Sequence, residues 1–297
     1  MKTYSQDILK NLKPSKKFFV GIDSDGTAFP TMELKHKECF IPAIIKVWGL
    51  QAISKYARET AEWVNLYSWH RGVNRFIALV MVFDLLKKRP EVQKSKVKIP
   101  DLAPLKKFID SGAALSTPSF EKAVKETGDP ILAKSLEWTN DANTRIAEMV
   151  KGAYPYTGVR ESLEKLSKSA DVIIVSATPG EALEREWEEH DLVKYVSLIA
   201  GQELGSKKEH IMLASEGKYD KANVLMIGDA PGDMKAGKDN GALFFPINPG
   251  AEEESWELFY KEAMDKFLSG KYAGAYEKNL IEKFEKLLPK EPTWRQV

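Results

Sequence analysis

The stretch FFVGIDSDGT, residues 18–27, joins a short apolar run to two acids, a glycine and a threonine. An apolar run of this length, bounded by Lys17 and Asp23, is typical of a strand buried on both faces of a parallel sheet. Similar runs recur after residue 170 and alternate with helix-like stretches, a pattern that predicts an α/β domain with helices flanking a parallel sheet. The later runs are 172–175 (VIIV), 196–200 (VSLIA), 224–227 (VLMI) and 242–247 (ALFFPI), and the helix-like stretches are 158–168, 180–190 and 207–216.

The segment between the first apolar run and the later ones has a different, all-helical pattern. Apolar residues recur there at helical spacing, and basic residues followed by Pro90 give a helix stop signal. We therefore expect a discontinuous α/β core at 1–29 and 152–250. A large all-helical cap domain at 30–151 is expected to be inserted after the first strand. A C-terminal helical extension at 251–297 is expected to pack on the core.

The composition of the 297 residues is that of an ordinary globular protein, with 43% hydrophobic and 29% charged residues. The 44 basic and 43 acidic residues give a net charge of +1, and hence no reason to expect nucleic acid or an anionic membrane as a partner. No run reaches the roughly 18 apolar residues of a membrane helix, and the first residues lack the pattern of a secretory signal. The single cysteine, Cys39, suits a reducing compartment, so a cytoplasmic protein is expected.

Polar motifs follow four of the predicted strands. The carboxyl ends of parallel strands lie at one edge of a sheet, where ligands bind, so the four motifs should converge. The first motif places Asp23 and Asp25 around a turn at Gly26. Two acids at this spacing can divide nucleophilic and acid–base work. The alternative interpretation is an exposed acidic turn.

The other three motifs supply groups that suit a phosphate and a hard cation. Ser176 closes the second run, and its hydroxyl can bind a phosphate oxygen or cap the next helix. Lys207 and Lys208 begin a predicted helix, where an ammonium group and the helix N-terminus both favour an anion. Lys207 is preferred, because it lies one helical turn before an apolar core position. Asp229 and Asp233 follow the fourth run at a spacing that suits a cation with oxygen ligands.

Together, in this order and at strand ends, the motifs resemble those of the haloacid dehalogenase-like (HAD) superfamily of phosphatases and phosphotransferases. The resemblance covers about residues 15–29 and 152–248. It implies a Rossmann-like core, a C1-type helical cap that closes over the site, and Mg²⁺ as cofactor. The implied roles are nucleophile for Asp23, general acid–base for Asp25, phosphate binding for Thr27, Ser176 and Lys207, and Mg²⁺ coordination for Asp23, the backbone carbonyl of Asp25, Asp229 and Asp233.

The reaction that this resemblance implies has two steps. Asp23 attacks phosphorus and forms an aspartyl-phosphate while Asp25 protonates the leaving oxygen. Asp25 then takes a proton from the water that cleaves the intermediate. Members that resemble the true dehalogenases lack an acid at the position of Asp25, because a halide leaving group needs no proton. The expected activity is Mg²⁺-dependent hydrolysis of a small phosphorylated metabolite.

Three alternatives stay open from the sequence. A sugar-phosphate mutase would use the same residues and pass the phosphoryl group to a second hydroxyl instead of water. A phosphonate hydrolase would need a cap lysine to form a Schiff base, and Lys46 and Lys55 are among those present. A binding module without catalysis would keep only the fold.

Substrate specificity is expected to lie in the cap, where residues 69–75 read WHRGVNR. Arg71 and Arg75 are four apart and could share a helix face that recognises a carboxylate or a second phosphate, with His70 beside them. The competing interpretation is that the arginines are solvated at a helix start and that the histidine packs.

Overall fold

The structure, a computed structural model, describes residues 5–294. The chain folds into two compact units. The first comprises the described residues through Pro30 together with Ala153–Leu287, and the second comprises Thr31–Gly152 together with residues 288–294. The chain therefore passes between the units three times, after Pro30, after Gly152 and after Leu287.

Five parallel strands form the sheet of the first unit: β1 (Phe18–Ile22), β2 (Ala170–Val175), β3 (Leu198–Ala200), β4 (Val224–Gly228) and β5 (Leu243–Pro246). Their order is β3-β2-β1-β4-β5. The chain runs outward from β1 to β3 and then returns past β1 to β4, so the order reverses between β1 and β4. At such a reversal the loops after the two strands diverge and open a crevice. The predicted parallel α/β fold is confirmed.

The helices, numbered along the chain, flank this sheet and build the second unit. In the first unit they are α1 (Asp7–Lys10), followed after the second unit by α10 (Val159–Leu166), α11 (Gly180–Glu189), α12 (Lys207–Ser215), α13 (Pro231–Asp239), α14 (Glu252–Leu258), α15 (Met264–Leu268) and α16 (Ala275–Leu287). The second unit holds α2 (Thr31–Leu34), α3 (Ile41–Trp48), α4 (Ser54–Asn65), α5 (Arg75–Lys87), α6 (Pro90–Lys94), α7 (Ala103–Asp110), α8 (Thr117–Thr127) and α9 (Pro130–Met149). Between residues 5 and 294, none of the helices has the length and apolar character needed to cross a membrane.

Both faces of the sheet are buried, as the apolar character of β1 predicts. Phe18 and Ile22 point to one side and join an apolar layer built with the helices that cover that face. Gly21 points to the other side. A Cβ atom there would lie 3.0 Å from Val175 Cγ2 and 3.3 Å from Met226 Sδ. Glycine at this position therefore lets the neighbouring strands' side chains fill the space above β1.

The second unit is helical and has an apolar core of its own. Trp48 and Trp138 are buried in it, and the indole of Trp48 meets the ring of Phe83 edge-on at 5.0 Å. A π-helical turn, Lys35–Phe40, joins α2 to α3. The tryptophans of this segment therefore serve first as packing groups of the insert.

The C-terminal extension divides between the units, which corrects the expectation that all of 251–297 packs on the core. The helices α14, α15 and α16 belong to the first unit as expected. Residues 288–294 belong to the second unit instead, and we call them the C-terminal strap.

Aromatic and cationic side chains fix the C-terminal strap to the second unit. The backbone N–H of Trp69 donates to the carbonyl of Pro289 at 3.1 Å. The indole of Trp294 meets that of Trp63 edge-on at 5.6 Å, and the guanidinium of Arg89 lies 4.6 Å from the Trp294 ring centre. These contacts join positions that are distant in sequence, so no local pattern near residue 294 predicts them.

Candidate active site

The loop after β1 directs two carboxylates to different places. The N–H of Asp23 donates to the carbonyl of Ile227 at 3.0 Å, which continues the pairing of β1 with β4. The chain then turns at Gly26, whose φ of 78° is in the left-handed region that glycine favours. Asp23 is only 4% exposed, whereas Asp25, just before the turn, is half-buried. The sequence therefore places a buried acid at the end of β1 and a less buried acid two residues later.

Asp23 shares the crevice with two other buried acids. Carboxylate oxygens of Asp23, Asp229 and Asp233 lie within 4.8 Å of one another. Asp229 directly follows β4, and Asp233 lies in the first turn of α13, where its Oδ2 accepts from the N–H of Ala230 at 3.1 Å. A Cβ atom at Gly228 would lie 2.4 Å from Asp233 Cβ, so the close approach of α13 to the strand end requires glycine there.

Lys207 joins two of these acids. It is the first residue of α12, and its Nζ lies 2.8 Å from Asp23 Oδ2 and 2.6 Å from Asp233 Oδ1. Lys208 points elsewhere: it is 54% exposed and pairs with Asp239 at 3.1 Å. Of the two candidate lysines, the geometry places Lys207 in the acid cluster.

Burial and neighbouring charges shift the pKa values of three groups in the cluster. Burial raises the pKa of Asp23 well above its usual value, Lys207 opposes that rise, and the nearby carboxylates of Asp233 and Asp229 add to it. Burial also raises the pKa of Asp233 against the same opposition. Burial alone would lower the pKa of Lys207, but Asp23 and Asp233 outweigh it and raise that pKa. The ammonium group of Lys207 thus stays charged between the buried carboxylates of Asp23 and Asp233.

This arrangement fits a divalent cation. Oxygen donors on three converging carboxylates are the ligands that Mg²⁺ prefers. Buried carboxylates that lie close together repel one another, so a further positive charge beside them would stabilise their ionised form. Asp23, Asp229 and Asp233 are the side chains that would hold it.

Thr27 makes a contact in the cluster that the sequence did not predict. It is fully buried, and its hydroxyl donates to Asp229 Oδ1 at 2.6 Å. The loop is held in place by the indole N–H of Trp256, which donates to the Thr27 carbonyl at 2.8 Å. Thr27 therefore orients a candidate metal ligand, as second-layer partners of metal sites do, and its binding of phosphate stays a prediction.

Ser176 is connected to Asp25 through a residue that the sequence analysis missed. The N–H of Thr178 donates to Ser176 Oγ at 3.1 Å. The Thr178 hydroxyl donates to Asp25 Oδ2 at 2.7 Å. The sequence signal for Thr178 is its position: it is a second hydroxyl residue two positions after Ser176, in the same loop at the end of a strand.

The prediction that Arg71 and Arg75 share a helix face is wrong. The side chain of Asn74 accepts from the N–H of Phe76 at 3.0 Å and caps α5, so the helix begins at Arg75. Arg71 lies in the preceding turn, is 3% exposed, and donates to the carbonyl of Leu66 at 2.9 Å. It supports the backbone of the second unit.

His70 and Arg75 have separate surroundings. The ring of His70 meets Trp63 edge-on at 6.0 Å, a packing contact. The guanidinium of Arg75 lies 4.6 Å from the ring centre of Phe40 and donates to Asn143 Oδ1 at 2.7 Å. Burial lowers the pKa of Arg75 to about 10. The role of these two residues and of Arg71 in substrate specificity stays a prediction.

The two cap lysines considered for a Schiff base lie at the surface of the second unit. Lys46 is 61% exposed and pairs with Asp141. Lys55 is 76% exposed and lies 3.9 Å from a carboxylate oxygen of Glu59. A Schiff-base lysine is usually desolvated so that its amine is neutral, and neither residue meets that condition.

A parallel α/β sheet with a buried acid cluster and a bridging lysine at its reversal point defines a HAD-like protein. The sequence profile of the haloacid dehalogenase-like hydrolases matches residues 93–246, more than half of the chain. The chain belongs to this family of hydrolases, as the motifs predicted.

Solved structures with a similar fold share little sequence with this chain. A HAD-superfamily hydrolase of subfamily IA from Geobacter sulfurreducens is 13% identical over 79% of this chain and 89% of its own, with a TM-score of 0.41. A haloacid dehalogenase-like protein from Streptococcus pneumoniae is 14% identical over 81% and 90%, with a TM-score of 0.40. A candidate phosphoglycolate phosphatase from Lactobacillus delbrueckii is 12% identical over 87% and 100%, with a TM-score of 0.49. No curated protein matches the sequence.

Proposed function

We propose that this chain is a Mg²⁺-dependent phosphohydrolase that acts on a small phosphorylated metabolite through a phosphoryl group carried on Asp23. One observation carries the proposal: Lys207 bridges the buried carboxylates of Asp23 and Asp233 in the crevice between β1 and β4. A carboxylate so placed has a cation beside it that attracts an anionic substrate and offsets the charge on the transferring group.

The first step is attack of an Asp23 carboxylate oxygen on phosphorus. The bond between phosphorus and the leaving oxygen breaks, and Asp25 supplies the proton that this oxygen needs. Lys207 opposes the rise in the pKa of Asp23 that burial causes, because its ammonium lies 2.8 Å from Oδ2. It also reduces the repulsion between that carboxylate and the incoming phosphate.

The second step returns Asp23 to its starting state. Asp25, now a carboxylate, accepts a proton from water, and the water oxygen attacks phosphorus and releases inorganic phosphate. Mg²⁺, when bound, would neutralise charge on the phosphoryl oxygens. Asp229, oriented by Thr27, and Asp233, oriented by the N–H of Ala230, would hold it beside Asp23.

A mutase would share the first step and differ in the group that accepts the phosphoryl group. The two activities are separated by the product, free phosphate for the hydrolase and an isomeric sugar phosphate for the mutase. A phosphonate hydrolase is disfavoured by the exposed, ion-paired settings of Lys46 and Lys55.

The experiment is phosphate release from a panel of phosphorylated metabolites, with and without Mg²⁺, by the parent chain, by Asp23→Asn and by a matched control. Asp239→Asn is that control, because Asp239 is a surface acid that lies outside the cluster. Its carboxylate pairs with Lys208 and Lys235. We expect Mg²⁺-dependent release by the parent and the control and none by Asp23→Asn. Release that persists in Asp23→Asn would overturn the proposal.

A further inference from the structure

We infer that Thr178 is a positioning residue for the general acid: its hydroxyl fixes the orientation of the Asp25 carboxyl group. This inference rests on the proposed function. The observation behind it is the 2.7 Å hydrogen bond from Thr178 Oγ1 to Asp25 Oδ2. The two residues lie on loops that leave neighbouring strands, Asp25 after β1 and Thr178 after β2.

Thr178 is itself held firmly enough to act as a reference point. Its N–H donates to Ser176 Oγ at 3.1 Å, and its carbonyl accepts from the N–H of Gln202 at 3.0 Å. The next residue is Pro179, which restricts the backbone of Thr178 to extended conformations. The hydroxyl therefore projects from a loop fixed on three sides, whereas Asp25 lies on a turn around Gly26.

The hydrogen bond has a chemical consequence for Asp25. The donated bond holds Oδ2 at a defined position beside Thr178. It also restrains rotation of the carboxyl plane, which is otherwise broad for aspartate. A general acid whose carboxyl group is already oriented needs less reorganisation to reach the leaving oxygen.

The positioning of Asp25 by Thr178 should affect the rate only for substrates whose leaving group needs a proton. An alkoxide is a poor leaving group and depends on protonation by Asp25, whereas a nitrophenolate leaves without it. The value of kcat/KM reports steps through phosphorylation of Asp23 and not the later hydrolysis. Comparing the kcat/KM values for an alkyl phosphate and for p-nitrophenyl phosphate therefore separates the contribution of general-acid catalysis from other effects on the rate.

The test uses Thr178→Val, which keeps the shape and removes the hydroxyl, and Thr178→Ser, which keeps the hydroxyl. Thr157→Val is the matched control, because the Thr157 hydroxyl donates to a carboxylate oxygen of Glu253 at 2.6 Å at the surface. In Thr178→Val we expect kcat/KM for the alkyl phosphate to fall about tenfold and that for p-nitrophenyl phosphate to change by roughly twofold or less. Thr178→Ser should restore the alkyl activity, and Thr157→Val should leave both substrates unaffected.

A second comparison removes the acid itself. Asp25→Asn should show the same dependence on leaving group with a larger loss, and adding Thr178→Val to it should cause no further loss. Equal losses with both substrates, no loss with either, or an additive loss in the double variant would each overturn the positioning role. Retention of phosphate release by Asp23→Asn would instead overturn the proposed function, so the two failures are distinguishable.

Discussion

Replacing Lys207 with Met should destabilise the first unit more than any other single lysine change near the site. The substitution keeps most of the methylene stem and removes the ammonium group. That group lies 2.8 Å from Asp23 and 2.6 Å from Asp233, and both acids are buried. Its loss removes the cation that pairs with Asp23 and Asp233.

The magnitude follows from the loss of a buried ion-pair partner. Removing one partner of a buried pair costs about 3–5 kcal/mol, because the other charge remains desolvated. Lys207 also lowers the pKa values of Asp23 and Asp233 against the effect of burial, so its removal raises both further. An acid whose folded pKa exceeds its unfolded value gives stability that is lost as pH rises through the folded pKa. The deficit of Lys207→Met should therefore be larger at pH 8 than at pH 5.

The assay is urea unfolding of the parent, of Lys207→Met and of Lys208→Met at both pH values, without and with Mg²⁺. Lys208 is the matched control, since it is the next residue and makes only an exposed pair, worth about 1 kcal/mol or less. Mg²⁺ should stabilise Lys207→Met more than the parent, because the cation binds a cluster with less positive charge. Equal stability of the two lysine variants would refute the reasoning about the cluster.

Three further predictions concern backbone space, pH and the C-terminal strap. Gly228→Ala should lower the free energy of unfolding by about 1–3 kcal/mol and displace Asp233. Gly232→Ala is its control, because a Cβ atom there meets nothing within 4 Å, and it should be neutral or stabilising by about 0.5 kcal/mol. Thermal unfolding of both variants checks the two predictions. Burial, aided by the nearby charge of Lys207, lowers the pKa of His210 to about 4. The folded state therefore favours neutral His210, and the stability that this residue contributes is fully present above the unfolded-state pKa of about 6.5. That contribution should fall by about 1 kcal/mol per pH unit from there to pH 4, and His210→Leu should flatten this slope in urea titrations. Trp294→Ala should cost the second unit about 2 kcal/mol, read from hydrogen exchange of its helices, and unchanged exchange would contradict the packing described.

The sheet and the acid cluster were predictable because their signals are local. The strands are short apolar runs, and each polar motif either directly follows one or, for Lys207, begins the next helix, so the geometry of a parallel sheet brings them together. Lys207 was the better choice over Lys208 for the same reason: helical spacing relates it to a core position. The fold class, the family and the residues of the cluster could therefore be inferred from the sequence.

The parts that failed depend on choices that spacing alone does not settle. Arg71 and Arg75 have helical spacing, but Asn74 caps the helix between them, and that local signal outweighs the four-residue separation. Thr27 and Thr178 both carry hydroxyls near the site, and only the three-dimensional contacts show which carboxylate each one orients.

The C-terminal strap has a consequence for how such a molecule can change by descent. An insert that enters and leaves a core through two junctions can be exchanged as one cassette. Here the segment Thr31–Gly152 takes part of its packing from residues 288–294, although all of Ala153–Leu287 separates them in sequence. A recombinant protein that received the insert alone would lack the contacts that Trp63 and Arg89 make with Trp294. Substitutions at these two positions and at Trp294 should therefore be inherited together, although more than 130 residues separate the C-terminal strap from the insert in sequence.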